Sequence, residues 1–346
     1  MSVHNKLILN IQILGMLGII LCISLSACQK PPDEKIQIGG PNVVFDFKKI
    51  YPKGDFDLQN LCWEPNGKKV AALIQKYKTG SGEIWIIDIE GYKKLRILEW
   101  FYNNPISGLL QDLSWYPDGN KIIFVASRGW DDVSANNKES GIWSIDIDGS
   151  DLKPIIVFPG KYYDFSSVSC NPDGIKIAFI RFDNATATDQ LCVLNMEENQ
   201  VKVLQASNLF ESHNKEAIVS FGGLSWAPDG KLIVFEVFYK EEKDYERGEF
   251  WIVNPDGSQL RKITNGSCPS WFYGSEQLLF YLYEDYWTID IHGSNLRKLN
   301  FNLSGAPYFS PDGKKIALLK DQEIILANLL QEKKDNGKVN SIKHGY

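Results

Sequence analysis

The sequence predicts an all-β fold, a six-bladed β-propeller with four antiparallel strands per blade, and three observations carry that expectation. A tight Pro-Asp-Gly turn following a bulky residue recurs along the chain, an unbroken apolar run follows each turn, and an apolar residue with Asp or Asn three positions later then appears six times. Repeats whose strands are apolar on both faces must cover one another, and closing the row into a ring hides the sheet edges.

The first 27 residues stand apart. Lys6 is followed by a nearly charge-free run from Leu7 to Ala27, which reads as an export signal. The run ends in Leu25-Ser26-Ala27-Cys28, and that ending resembles the bacterial lipobox. The resemblance implies that residues 1–27 are a lipoprotein signal peptide, that the Cys28 thiol is acylated, and that the bilayer is a partner through that group. Several acyl chains, each buried methylene contributing ~0.8 kcal/mol, hold such an anchor stably. Residues 28–41, with Pro31, Pro32, Gly39 and Gly40 and no apolar period, read as a flexible tether.

The propeller is expected over residues 42–330. Its turns are Trp63-Glu64-Pro65-Asn66-Gly67, Trp115-Tyr116-Pro117-Asp118-Gly119, Trp226-Ala227-Pro228-Asp229-Gly230 and Phe309-Ser310-Pro311-Asp312-Gly313, with Cys170 replacing the aromatic before Pro172-Asp173-Gly174. The fifth copy, Trp271-Phe272-Tyr273-Gly274, keeps the tryptophan and loses the proline. Proline presets the first corner, Asp or Asn bonds its own backbone, and Gly takes positive φ, so each turn joins two antiparallel strands. Second strands such as Ile122-Ile123-Phe124-Val125 are continuously apolar, as burial on both faces requires.

Third strands follow as Trp85 and Asp88, Trp143 and Asp146, Cys192 and Asn195, Trp251 and Asn254, Trp287 and Asp290, Ile325 and Asn328. Short fourth strands such as Leu260-Arg261-Lys262-Ile263 complete the blades. The last copy lacks a fourth strand of its own, whereas Val43-Val44-Phe45-Asp46-Phe47 precedes the first copy and has no repeat partner. That segment is expected to close blade six; Lys338 to Ile342 is the competing choice. Residues 331–346 read as a C-terminal tail.

The combined signature, an aromatic-x-Pro-Asp-Gly turn, an Ile-x-Phe strand and an Ile-Trp-x-x-Asp strand, resembles the TolB-like propeller repeat over roughly residues 43 to 330. The resemblance specifies a fold and is nearly silent about function, since the repeat serves interaction proteins, peptidase accessory domains and some lyases.

Composition narrows the function. The 346 residues are 44% hydrophobic and carry a net charge of -6, so there is no basic stripe for phosphates and a nucleic-acid partner is not expected. No Gly-x-Ser-x-Gly elbow occurs, and His213, His292 and His344 do not stand at ligand spacing, so neither metal nor other cofactor is expected. The Asp-rich stretches at Asp146 to Asp151 and at Asp256 read as turn formers. Cys62, Cys170, Cys192 and Cys268 fall inside apolar strands and read as buried thiols rather than disulfides. The repeat tryptophans read as core between blades.

Variable length marks one face. From the turn aromatic to the third strand the spacing is 16 residues for Trp271 to Trp287 but 28 for Trp115 to Trp143 and 25 for Trp226 to Trp251. The connections also carry Trp100, Phe101, Tyr102, Trp130, Tyr162, Tyr163, Phe210 and Tyr245, amphipathic rings suited to a protein, peptide or glycan. The expectation is a monomeric, non-catalytic binding scaffold of the cell envelope, lipid-anchored on the periplasmic side of a membrane or on the outer face of a single one. Gln29 after the cysteine leans toward the outer membrane. The alternative is a carbohydrate-active lyase with Asp131, Asp132, Asp164, Glu211 and His213 gathered around a metal.

Overall fold

A computed structural model describes residues 34–35, 37–46, 55–76, 81–90, 93–100, 110–126, 139–159, 163–210, 218–240, 246–272, 274–282, 285–300, 306–320 and 322–330. Two N-terminal strands, β1 (Glu34–Lys35) and β2 (Gln37–Asp46), precede the repeats. Blade 1 is β3 (Phe56–Trp63), β4 (Lys69–Lys76), β5 (Ser81–Asp88) and β6 (Lys93–Trp100); blade 2 is β7 (Leu110–Trp115), β8 (Lys121–Ala126), β9 (Glu139–Asp146) and β10 (Lys153–Pro159). Blade 3 is β11 (Tyr163–Cys170), β12 (Lys176–Asp183), β13 (Thr188–Asn195) and β14 (Gln200–Ala206); blade 4 is β15 (Ile218–Trp226), β16 (Ile233–Lys240), β17 (Glu246–Val253) and β18 (Arg261–Asn265). Blade 5 is β19 (Ser267–Phe272), β20 (Gln277–Leu282), β21 (Asp285–Asp290) and β22 (Arg297–Asn300), and blade 6 begins with β23 (Ala306–Phe309), β24 (Lys315–Lys320) and β25 (Glu323–Leu330).

The sixth sheet has the order β2-β25-β24-β23, so the N-terminal strand closes the ring. Its pairing with β25 is antiparallel, from Gln37 opposite Leu330 to Asp46 opposite Glu323, with a register shift between Gly39 and Val43. Pairing starts earlier than the expected tether boundary at residue 41. Glu34 and Lys35 already add to the outer edge of blade 5 as a fifth, parallel strand beside Leu299 and Asn300. The reason is an open edge: β25 is eight residues long, and the bulge at Gly39 lets β2 follow it to its end. The tail at 331–346, and with it Lys338 to Ile342, lies outside the described residues.

The core lies between blades rather than within them. Leu73, Ile84 and Trp100 of blade 1 pack on Leu113, Trp115 and Phe124 of blade 2. Phe56 and Trp63 meet Ala317 and Ile324 of blade 6 across the closing seam. The same pattern joins blades 2 and 3, 3 and 4, and 4 and 5. Trp63, Trp115, Trp143, Trp226 and Trp271 are buried, as the repeat requires, while Trp85, Trp251 and Trp287 are partly buried in the same seams.

A hydrogen-bond relay accompanies this packing. The Trp63 indole N–H donates to the Tyr308 carbonyl at 2.8 Å, that of Trp115 to the Cys62 carbonyl at 2.8 Å, and that of Trp271 to the Ser225 carbonyl at 3.3 Å. Each links the innermost strand of one blade to that of the blade before it.

Close packing leaves no room for side chains at some positions. A Cβ on Gly141 would stand 2.2 Å from the Ile156 carbonyl oxygen, a backbone atom fixed by the bulge in β10. Gly141→Ala is therefore expected to lose ~2 kcal/mol or more, against ~1 kcal/mol of backbone strain for Gly274→Ala at φ +85, where nothing lies within 4 Å. Paired thermal melts check the order; equal losses would show that the bulge yields.

Candidate functional site

The two faces of the ring are built differently. On one, eleven connections join first to second and third to fourth strands, and they run only from four to seven residues. Gly67, Gly119, Gly174, Gly230 and Gly313 sit there with φ between +64 and +74, each donating its N–H three residues back. The turn survives the cysteine of blade 3 because its geometry depends on the Asn171-to-Gly174 closure, not on the preceding ring. The Asp-rich stretches are indeed turns: Asp148 accepts from the Ser150 N–H at 2.9 Å and Asp256 from the Ser258 N–H at 2.8 Å. Paired turns of one blade are stitched together, as where Ile147 donates to the Asn120 carbonyl. This turn face is a repeated, rigid surface.

The opposite, connection face carries the links from second to third strands and from blade to blade, which run from one residue between β18 and β19 to twelve between β8 and β9. Leu209 and Ile218 present apolar surface there, 69% and 42% exposed, at the link from blade 3 to blade 4.

Two of the expected rim residues are corrected. Trp100, the last residue of β6, is 2% exposed and packs edge-on against Phe124 and Trp143 with centroids 6.0 and 5.7 Å away. Phe210 is buried likewise, in T-shaped contact with Phe221, Phe235 and Trp251. Both stand where an outer strand ends and the chain turns inward to the next blade, and a large ring there seals the seam. Phe101, Tyr102, Trp130, Tyr162 and Tyr245 lie outside the described residues, as do Cys28, Asp131, Asp132, Glu211 and His213. For Tyr163 and Asp164 the backbone alone is described, at the start of β11.

The central channel holds groups that the rim reading missed. Three residues before each repeat aromatic, the innermost strands place Asn60, Asp112, Ser167, Gly223, Cys268 and Ala306 at equivalent positions. Asn60 donates its side-chain amide to Asp112 Oδ1; the Asp112 carboxylate also accepts the Leu113 N–H at 2.8 Å and the Val168 N–H at 2.9 Å. One half-buried carboxylate thus ties together blades 1, 2 and 3. Tyr308 of blade 6 and Cys268 of blade 5 lie within electrostatic reach, and burial raises the Tyr308 phenol. The signal was present as polar residues in strands that are otherwise core.

Similar clasps recur. The Phe221 N–H donates to Asp189 Oδ2 at 2.9 Å and the Cys268 N–H to Glu236 Oε2 at 3.0 Å, each carboxylate reaching the innermost strand of the next blade. Innermost strands bulge in blades 1 to 5, and a bulge frees N–H groups that a neighbour's carboxylate then satisfies. Glu83 is fully buried and clamped by Lys76 at 2.9 Å and Arg96 at 3.0 Å. These carboxylates serve the ring's cohesion.

Among the described residues no disulfide forms, and no group of three or more His, Cys, Asp and Glu could hold a metal. Cys170 and Cys192 are buried as expected. Cys62 is only partly so, and Cys268, at φ +54 in the β19 bulge, is exposed. Burial pushes the thiols of Cys62, Cys170 and Cys192 up to about 12. No helix of the described residues is long and apolar enough to cross a membrane.

The carboxylates that bridge neighbouring blades give stability a pH dependence. Burial pushes Asp112 up to about 7 and Asp189 up to about 6 from 3.8, against the pull of their N–H donors. Both bind a proton more readily folded than unfolded, so their contribution is full below pH 3.8 and lost as pH rises through 6 to 7. Turn aspartates Asp148, Asp256 and Asp312, held low first by serine hydroxyls, act oppositely and lose their contribution as pH falls below 3.8. Thermal stability is expected to peak near pH 4 and to decline up to about pH 7, and Asp112→Asn is expected to flatten that decline. An unchanged slope in that variant would assign the decline elsewhere.

No protein-family model matches the chain, and no curated protein matches it. Solved structures do. A TolB from Agrobacterium tumefaciens superposes with a TM-score of 0.53 at 16% identity, over 84% of this chain and 97% of that one. TolB from Acinetobacter baumannii gives 0.47 at 17% identity over 79% of this chain, which spans 54% of the length of that protein. An oligogalacturonate lyase from Vibrio parahaemolyticus gives 0.48 at 12% identity, over 85% and 98%. At such identities the likeness is one of fold, and the fold this chain shares with the Agrobacterium TolB is the six-bladed β-propeller.

Proposed function

We propose that the chain is a lipid-anchored cell-envelope propeller, monomeric and non-catalytic, that binds a protein, peptide or glycan on its connection face. The observation that carries this reading is the contrast between the faces: connections of one to twelve residues on one side, four to seven on the other. A rigid scaffold with variable loops on one face is the arrangement in which binding surfaces are commonly found. The exposed Leu209 and Ile218 add apolar area on that face. The Asp112 carboxylate supports the non-catalytic reading, since three donors fix it as a clasp between blades. The anchor rests on the Leu25-Ser26-Ala27-Cys28 ending, and an envelope location follows from it.

The test is capture from solubilised envelope by the protein and by a variant with Tyr102, Trp130, Tyr162, Tyr163 and Tyr245 changed to alanine. Retention by the first and loss by the second, with equal melting temperatures, supports a binding rim. Equal capture by both removes those rings from the site.

A further inference from the structure

The repeat that builds the turn face is broken in blade 1. Counted from the pairing with the third strand, the chain enters the fourth strand through Asp151-Leu152-Lys153 in blade 2, Gln200-Val201-Lys202 in blade 3, Gln259-Leu260-Arg261 in blade 4 and Asn295-Leu296-Arg297 in blade 5. Each runs polar, apolar, cation. Blade 1 reads Lys93-Lys94-Leu95, and Leu95, opposite Ile86, stands where the others carry the cation.

That cation has a task. Lys202 donates to the Asp256 carbonyl at 2.8 Å and Arg261 to the Ile291 carbonyl at 3.1 Å, each crossing the seam to the third-to-fourth turn of the next blade. The matching turn of blade 2 is Asp146 to Ser150, closed by the same bonds, and the matching carbonyls there belong to Asp148 and Ile147. Leucine has no donor to send across. Between blades 1 and 2 there is instead an open cleft of about 630 Å³, floored by Ile86, Leu95 and Ile147 and edged by Lys69, Lys93 and Lys94. Leu95 is 52% exposed.

Two features give the cleft its chemistry. The floor is apolar, and such surface gains by being covered. The charge on offer at the edge is positive: Lys93 is exposed and enters no ion pair among the described residues. Lys69 reaches Glu64 only at 3.5 Å. The two carboxylates at the edge are already engaged, Asp148 by the N–H and hydroxyl of Ser150 and Asp88 by the Glu90 N–H. Where the other blades put a cation deep and neutral or acidic residues at the mouth, blade 1 puts leucine deep and lysines at the mouth. An ammonium on an apolar stem above an apolar floor suits an anion with an apolar body, and the volume is that of a small-molecule site.

We propose that the turn-face cleft between blades 1 and 2 binds a small amphipathic carboxylate, its apolar body on Ile86, Leu95 and Ile147 and its carboxylate at Lys93. This site lies on the face opposite the proposed binding rim and does not depend on it.

The probe is para-trifluoromethylphenylacetate, followed by fluorine NMR with the full chain in buffer containing neutral phosphatidylcholine nanodiscs. Protein-free nanodiscs give the background from partitioning, and the corresponding amide is the uncharged counterpart. Saturable binding of the carboxylate is expected, with the amide several-fold weaker. Leu95→Lys restores the residue of the other blades and closes the cleft, so it is expected to weaken carboxylate binding about tenfold although it adds a positive charge. Leu95→Gln removes the floor without adding a cation and is expected to weaken binding several-fold. Lys93→Gln is expected to do the same and to reduce the salt dependence of what remains.

The melting temperatures of all three variants are measured alongside, and Leu95→Gln decides alone if Leu95→Lys fails to fold. Absence of saturable binding, equal binding of the carboxylate and the amide, or undiminished binding by the folded Leu95 variants overturns the proposal.

Discussion

Deleting residues 37–46 is expected to open the ring and to cost several kcal/mol, because β25 loses the strand that pairs with it at seven positions and the closing seam loses its outer cover. The physical reason is that β25 would become a bare edge of eight residues, and an uncovered apolar edge recruits other chains. Three observations should move together: a lower melting temperature, a broader transition, and concentration-dependent association on warming. Thermal denaturation monitored by tryptophan fluorescence at several protein concentrations, with light scattering alongside, measures all three. Retention of a sharp transition at an unchanged midpoint would mean that ring closure does not rest on this strand.

The second large effect is expected at Trp63. It is 7% exposed, fills the seam between blades 6 and 1, and its indole N–H reaches the Tyr308 carbonyl at 2.8 Å. Trp63→Ala is expected to cost ~3–5 kcal/mol, as large-to-small changes in a packed core do. Trp63→Phe isolates the hydrogen bond at ~1 kcal/mol or somewhat more, since a buried carbonyl loses its donor. Trp226 supplies the comparison: it occupies the same place in blade 4, but its indole N–H has no acceptor, so Trp226→Phe should cost less than Trp63→Phe. Urea midpoints of the paired variants test the ordering, and the reverse order would show that packing, not the interblade relay, governs both sites.

The ring was legible in the sequence because its governing signals are local. A Pro-Asp-Gly turn needs only its own four residues, and continuous apolar strands announce burial on both faces. Closure by the N-terminal strand was legible by counting, since the sixth copy lacks a fourth strand and Val43 to Phe47 lacks a repeat. Trp100 and Phe210 were misread because an aromatic beside a loop looks like a rim, and only the neighbouring blade decides whether the ring turns inward. The Asp112 clasp was missed for a related reason. Nothing local marks the bulges in the innermost strands, so the free Val168 N–H that a carboxylate must satisfy appears only once blades 2 and 3 are side by side. The pairing of β1 with blade 5 was hidden in a segment whose prolines and glycines read as a tether, because it depends on an edge 265 residues away in sequence.

The connection face, and not the turn face, is expected to meet the partner. Photo-crosslinking residues placed in living cells at Leu209 and Ile218 on the connection face, and at Asp118 and Asp312 on the turn face, test it most directly. Discrete adducts of one partner are expected from 209 and 218, and none of that partner from 118 and 312. Adducts from the turn face alone, or the same adducts from both faces, would contradict it.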